Sequence, residues 1–275
     1  MIKLMNVDEI KNLAKKLRRE IIESSYATGK IGVHIGPALS VADYLAYLYG
    51  SQMNVSPEAT FSEDRDRFVL SKGHAYTALY SILSLRGFFS REEYRSNFMT
   101  DGGLYPAHPI KQLEKGIECS SGSLGMGLSF AVGKAIAAKK KNLSYKTYVV
   151  MGDGECNEGS TFEAFASAAQ LKLDNLVVFI DHNGYQQDGT TQDIMNIPFA
   201  SILGSLGWDV AEIDGNDVDA IDAAFKNHQE GTGKPFVIIG MTVKGKGISF
   251  MEGVNSWHHA SMNEEQYQQA IEELK

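Results

Sequence analysis

Two hydrophobic patterns divide the chain. In the first quarter, Ile10, Leu13, Ala14, Leu17 and Ile21 recur at helical spacing and predict one apolar stripe. Ser40 stands where a cap would precede a second helix carrying Val41, Leu45 and Leu48. From about Tyr148 the pattern changes to short apolar runs at 147–151, 176–181, 208–213 and 236–243, with helical stretches at 162–173, 199–206 and 218–227 between them. Strands of that length, apolar on both faces and separated by helices, imply parallel βαβ units in a doubly wound α/β sheet flanked by helices. Residues 263–275 read as a polar amphipathic helix at the periphery. With no internal repeat, low-complexity segment or Pro/Gly/Ser linker, residues 1–275 read as one domain.

Composition narrows the class. A chain of 275 residues that is 43% hydrophobic can bury a full core. The net charge of -8 argues against a nucleic-acid partner, because phosphate backbones are held by basic faces. The short run Lys139 to Lys141 reads as a solvated helix end. Met1-Ile2-Lys3-Leu4-Met5-Asn6 has no apolar leader core, and no stretch approaches the ~20 apolar residues that span a bilayer. A soluble cytoplasmic protein without membrane association is the expectation. Cys119 and Cys156 are too few for a disulfide framework and lack zinc-ligand spacing, which fits a reducing compartment.

In open parallel sheets, ligands sit beyond the carboxyl ends of the strands. Two such ends carry chemistry. One run stops at Met151 before Gly152-Asp153-Gly154, and another stops at Ile180 before Asp181-His182-Asn183-Gly184-Tyr185. A single intervening helix makes the two strands parallel neighbours and brings the oxygens of Asp153 and Asn183 to one edge. A carboxylate, an amide oxygen and a backbone carbonyl suit a hard divalent cation such as Mg²⁺, with Ca²⁺ or Mn²⁺ as alternatives. Gly152 and Gly154 allow the backbone to approach a diphosphate. Taken singly, Asp-Gly and Asn-Gly are ordinary turn signals.

Gly152-Asp153-Gly154 with Asn183 thirty residues after the Asp resembles the signature of thiamine-diphosphate enzymes. The resemblance implies a metal held by Asp153, Asn183 and the carbonyl of Tyr185 on the cofactor's diphosphate. Other segments resemble the transketolase family in order and spacing from about Lys16 to about Glu273. They are Gly32-Val33-His34-Ile35-Gly36, the 64–74 segment ending Ser71-Lys72-Gly73-His74, Pro106-Ala107-His108-Pro109, Gly122-Ser123-Leu124-Gly125-Met126-Gly127, and Trp257-His258. The resemblance implies that His34, His74, His108 and His258 surround the reacting centre, His74 and His258 also touching the cofactor. It further implies that Gly122 and Leu124 contact the cofactor, and that Glu158 lies near a subunit interface and is linked to the opposite active site. Imidazole, with an unperturbed pKa of about 6.5, suits proton movement at sugar oxygens. His182, His228 and His259 receive no site role, and Glu158 alone reads equally well as a solvated helix-start carboxylate.

Only the first part of a full-length transketolase resembles this chain, so the pyrimidine-binding and C-terminal domains are expected on a partner chain. No carboxylate here can be given the role of activating the aminopyrimidine. The resemblance thus implies that the partner is a C-terminal transketolase subunit, in an α2β2 assembly with composite sites. The opening Met1 and the terminal helix favour a naturally split enzyme over a fragment. The implied reaction is transfer of a two-carbon ketol unit from a ketose phosphate to an aldose. Val33, where the family commonly has Gly, and Pro37-Ala38, at positions usually small and polar, raise an unusual ketose donor with another anionic end group as an alternative. A non-catalytic regulatory subunit is a second alternative. Enzymes like deoxyxylulose-phosphate synthase or the α chain of a 2-oxoacid dehydrogenase are disfavoured by the 64–74 and 106–109 segments.

Overall fold

In the computed structural model, which describes residues 4–275, the N-terminal apolar stripe forms helix α1 (Val7–Ala27), with Ile10, Leu13, Ala14, Leu17 and Ile21 all buried. Met1, Ile2 and Lys3, which entered the reading of the N-terminus, lie outside the described residues. The helix starts where Asn6 accepts the Glu9 N–H at 2.9 Å and Glu9 accepts the Asn6 N–H at 2.8 Å. This reciprocal cap satisfies two donors that would otherwise lack partners.

Helices α2 (Ile35–Leu39) and α3 (Ala42–Tyr47) precede strand β1 (Arg67–Leu70). Helices α4 (Tyr76–Leu85), α5 (Arg91–Asn97) and α6 (Gly127–Lys141) lead to β2 (Thr147–Gly152). The chain then alternates through α7 (Gly159–Gln170), β3 (Leu176–His182), α8 (Thr191–Ile194), α9 (Phe199–Leu206), β4 (Asp209–Asp214), α10 (Val218–Asn227) and β5 (Phe236–Met241), and closes with α11 (Glu264–Glu273). Among the described residues no helix is long and apolar enough to cross a membrane.

The strands form one five-stranded sheet in the order β1-β2-β3-β5-β4, every pair parallel. Alternate strand residues enter different cores. Tyr148, Val150, Val177, Phe179, Phe236 and Ile238 pack with α1, α3 and α4 on one face. Val149, Met151, Val178, Ile180, Val237 and Ile239 pack with α6, α7 and α9 on the other. Covering both faces with helices is why β2, β3 and β5 are continuously apolar. Strand β4 departs from that expectation, since at the sheet edge its side chains are half-buried or exposed.

Two local readings change. Ser40 does not cap a helix through its side chain: α3 begins at Ala42 after Val41, and the Ser40 hydroxyl donates to Asp181 at 2.7 Å. Burial beside an ionised carboxylate gives that hydroxyl a stronger partner than a helix-start N–H. The terminal helix α11 is less peripheral than its polarity implied. It packs on α1 with Ala270 and Leu274 buried and with Tyr26 stacked on Tyr267 at 4.2 Å.

A buried ion pair joins the N-terminal helices to loops beyond the sheet. The Arg18 guanidinium grips both oxygens of Asp43, one contact at 3.0 Å, and also donates to the Lys246 carbonyl at 3.1 Å. Asn216, after β4, donates to the same carboxylate at 3.1 Å. Removing one member of a buried pair leaves the other charge uncompensated. Asp43→Ala is therefore expected to lower the free energy of unfolding by about 3 kcal/mol, measured by urea denaturation. A loss under about 1 kcal/mol would show that the pair is not holding these elements together.

Candidate functional site

Four strand ends converge on one cleft of about 490 Å³. β1 delivers Ser71 to His74, β2 delivers Asp153 to Glu155, β3 delivers Asn183 to Tyr185, and β5 delivers Thr242 to Lys244. Every site residue drawn from the sequence lines this cleft: Asp153, Asn183 and Tyr185, the glycines 122, 152 and 154, Leu124, Glu158, and His34, His74, His108 and His258.

The floor is a polar knot built around Asp181, whose side chain is fully buried. Lys72 donates to it in an ion pair buried on both sides. Ser40 donates at 2.7 Å, Asn183 Nδ2 at 3.0 Å, and Thr242 through its hydroxyl. Burial alone would raise the Asp181 pKa, but the Lys72 ammonium and the hydroxyl donors outweigh it and hold the group below the ordinary carboxylate range. The knot also fixes Asn183: with Nδ2 committed to Asp181, its amide oxygen faces the cleft loop, where it accepts the Tyr185 N–H at 3.1 Å.

Asp153 stands in a contrasting environment. It is 3% exposed and accepts the N–H groups of Gly154 and Gly184, both at 2.8 Å, but is in no ion pair among the described residues. Burial, and then the neighbouring Asp181, push its pKa up to about 7. A buried carboxylate without a counter-charge is a ready partner for a cation. Gly152 beside it has nothing within 4 Å of where a Cβ would project, leaving open backbone for a diphosphate. The donor set is oxygen-rich, and no cluster of three or more His, Cys, Asp or Glu side chains placed to hold a metal occurs among the described residues. The oxygen donors of Asp153 and Asn183 fit a hard divalent cation carrying phosphate oxygens.

The histidines assemble over that floor. His34 lies at the centre, with ring centroids 5.5 Å from His74, 5.3 Å from His258 and 6.2 Å from His108. His74 and His258 stack at 5.3 Å. Antiparallel pairing of Val33 with Ala260, through two backbone bonds of 3.0 Å, ties the first and last loops together. A Cβ on Gly32 would fall 2.7 Å from the Ala260 carbonyl oxygen, so only glycine permits that approach. Burial, then His259, lower His34 to about 4, while burial, then Lys244, lower His258 to about 3. His74 is lowered well below its ordinary value, again first by burial and then by Lys72. These shifts favour the neutral form of His34, His74 and His258, in which a ring has one nitrogen to donate and one to accept, the Nδ1 of His258 facing Lys244.

Several participants were not singled out in the sequence. Lys244 donates to Asn255 at 2.7 Å, lies 2.9 Å from His258 Nδ1, and has its pKa lowered to about 8 by burial and then Lys72. Its signal, a lysine just past the last apolar run, was weak beside the other lysines nearby. Asp181 had a clearer one, an acidic residue inside a core run, which is rarely buried unpaired. Glu155, 3% exposed, binds three loops at once, whereas Glu158, the glutamate that the sequence favoured, is exposed at the start of α7 with no capping bond. Of the histidines left without a role, His259 lies 4.7 Å from His34, edge to face, and so joins the cluster at its outer rim. His182 packs on Phe199 and His228 pairs with Asp209, both outside it.

Residues 11–274 match the family model for the thiamine diphosphate binding domain of transketolase. The chain belongs to the transketolase family. It is 42% identical to an apulose-4-phosphate transketolase subunit of Phocaeicola vulgatus, covering 98% of this chain and 95% of that protein. It is 39% identical to a 6-deoxy-6-sulfo-D-fructose transketolase subunit, SqwG, of a Clostridium species, covering 96% and 94%. Among solved structures, Campylobacter jejuni transketolase superposes with a TM-score of 0.86 at 31% identity, covering 98% of this chain but 43% of that one. The α/β fold of this chain is therefore that of a transketolase cofactor-binding domain, and it spans less than half the length of the solved transketolases it matches.

The lowered imidazoles give this transketolase chain a pH signature. In the folded chain His34, His74 and His258 bind protons less readily than in the unfolded chain. Below about pH 6.5 the unfolded state therefore takes up more protons, and stability falls as pH falls from there toward about 4. His34→Gln should flatten this acid limb in urea unfolding measured between about pH 7 and pH 4.5. An unchanged slope would mean that His34 titrates normally in the folded protein.

Proposed function

We propose that this chain is the diphosphate-binding subunit of a two-chain transketolase that uses thiamine diphosphate and a divalent metal to move a two-carbon ketol unit from a ketose to an aldose. The observation that carries the reading is the juxtaposition of an uncompensated buried Asp153 with a cluster of neutral imidazoles in one cleft. Near full-length similarity to proteins that are themselves named as transketolase subunits supports the split arrangement. The pyrimidine-binding and C-terminal domains then reside on a partner chain, in an assembly of two copies of each.

Asp153, Asn183 and the Tyr185 carbonyl hold the metal, preferably Mg²⁺ with Ca²⁺ or Mn²⁺ as substitutes, and Gly152 and Gly154 admit the diphosphate. Gly122 and Leu124 flank the rest of the cofactor. When bound, thiamine diphosphate supplies the carbanion chemistry that lets a ketose carbon–carbon bond break and re-form. The chain's own contribution is proton placement. His34, His74, His108 and His258, held neutral by burial, donate to sugar carbonyl oxygens or accept from hydroxyls without first releasing a proton to water. Lys244, held against His258 and Asn255, adds a cationic group to the cleft lining. Glu158, exposed at the cleft margin, is free to meet a partner chain.

The donor is a ketose with an anionic end group. Two relatives carry names that specify apulose 4-phosphate and a sulfonated fructose, and both compounds belong to that chemical class. Pro37 lines the cleft, whereas Val33 is fully buried and does not. An apolar, rigid residue at the Pro37 position favours a donor different from the common pentulose phosphates.

The test is ketol transfer measured with thiamine diphosphate and Mg²⁺ across a panel of phosphorylated and sulfonated ketoses, with this chain alone and with its partner chain. Activity is expected only in the mixture. Cofactor binding without transfer from any ketose would favour a regulatory role. Asp153→Ala is expected to abolish Mg²⁺-dependent cofactor binding in a calorimetric titration, and unchanged affinity would remove Asp153 from the metal site. His74→Ala is expected to keep cofactor affinity within a few-fold and lose at least roughly a hundredfold in turnover; near-normal turnover would exclude His74 from proton transfer.

A further inference from the structure

Three loops that frame the cleft come from distant parts of the chain, and one buried side chain touches all of them. Glu155 Oε1 accepts the Gly125 N–H at 2.8 Å and the Ser71 hydroxyl, and Oε2 accepts the Gly152 N–H at 3.2 Å. Ser71 opens the loop that carries Lys72 and His74. Gly125 lies in the Gly122–Gly127 turn with Leu124, and Gly152 ends β2 immediately before Asp153. We propose that Glu155 is a positioning residue: it sets the spacing between the Ser71–His74 loop, the Leu124 turn and the end of β2, and thereby the width of the cleft that receives thiamine diphosphate. The proposal rests on the functional reading above, since it concerns the same cleft.

The chemistry of the three donors explains why a carboxylate occupies the position. One hydroxyl and two backbone N–H groups converge on it, and the two oxygens of a carboxyl group meet all three as acceptors. A glutamine with Oε1 on Ser71 and Gly125 must turn its NH₂ toward the Gly152 N–H, placing donor against donor. An aspartate is one methylene shorter and cannot span the same three loops from the same backbone. The packing leaves little freedom for compensation. Gly125 has φ +80°, and a Cβ there would lie 2.7 Å from Glu158 Cβ; a Cβ on Gly127 would lie 2.5 Å from Ser71 Cβ. With the turn, the Ser71 loop and the start of α7 in such close contact, loss of one acceptor shifts a loop as a whole.

Glu155 touches neither the metal ligands' oxygens nor any imidazole, so it acts through backbone placement. Its loss weakens cofactor binding far more than it slows turnover once cofactor saturates. The experiment uses the chain assembled with its partner chain, in wild-type, Glu155→Gln and Ser71→Ala forms. Thiamine diphosphate affinity is measured directly by calorimetry at fixed Mg²⁺, alongside kcat at saturating cofactor and the melting temperature without cofactor.

The expected result is a rise in the cofactor dissociation constant of at least tenfold for Glu155→Gln and severalfold for Ser71→Ala. In both variants kcat recovers to within a few-fold at saturation, and cofactor-free melting shifts by only a few degrees. Cofactor affinity unchanged within twofold in Glu155→Gln would overturn the positioning role. So would affinity and kcat falling in proportion to a lowered melting temperature in both variants, because Glu155 would then be a stability residue only. If the wild-type assembly itself bound no thiamine diphosphate, the functional reading would fail, and the positioning role with it.

Discussion

The cleft depends first on the buried pair between Lys72 and Asp181. A lone ammonium or carboxylate in that position would face a desolvation cost of several kcal/mol, and neither side chain has more than 1% of its surface exposed. The pair is tolerated because both members are hydrogen-bonded further: Asp181 also receives Ser40, Thr242 and Asn183, and Lys72 also donates to the Pro37 carbonyl at 3.1 Å. These residues come from α2, the loop after β1, the end of β3 and the loop after β5. A satisfied network of this kind has one low-energy arrangement, so it acts as a rigid floor.

The same pair sets the electrostatics above it. Asp181 is paired with Lys72, yet it also acts on the neighbouring Asp153 and adds to the burial that pushes the Asp153 pKa up. The cleft lining thus holds the Asp153 carboxyl together with Lys244, above the buried Lys72–Asp181 pair. The imidazoles occupy the remaining wall. Burial, with neighbouring cationic and imidazole groups, favours their neutral form, in which one cluster can both donate and accept hydrogen bonds.

The sheet and the carboxyl-end location of the site could be read from the chain because doubly covered strands leave continuous apolar runs, and residues just past those runs must lie at the sheet's edge. Asp153 and Asn183 were legible for that reason, and the histidines through segments that resemble the transketolase family. The network beneath them was not. Ser40 looked like a helix cap because its neighbours form a helix, yet its partner lies 141 residues away in sequence. Lys72 and Glu155 sit within recognised segments, but nothing local distinguishes a buried charge from a solvated one. His259 was given no site role, and the Val33–Ala260 pairing brings its segment back to His34. Pairings of long sequence separation leave no periodic trace.

The proposed chemistry requires Asp153 and Asn183 to hold a cation jointly at the strand ends. Crystals of the assembled enzyme grown with thiamine diphosphate and Mn²⁺, examined by anomalous scattering, test this most directly. A metal peak is expected within coordination distance of Asp153 Oδ, Asn183 Oδ1 and the Tyr185 carbonyl, with diphosphate oxygens completing the shell beside Gly152. A cofactor bound in the cleft with its metal held by other side chains, or a metal peak away from the ends of β2 and β3, would contradict it.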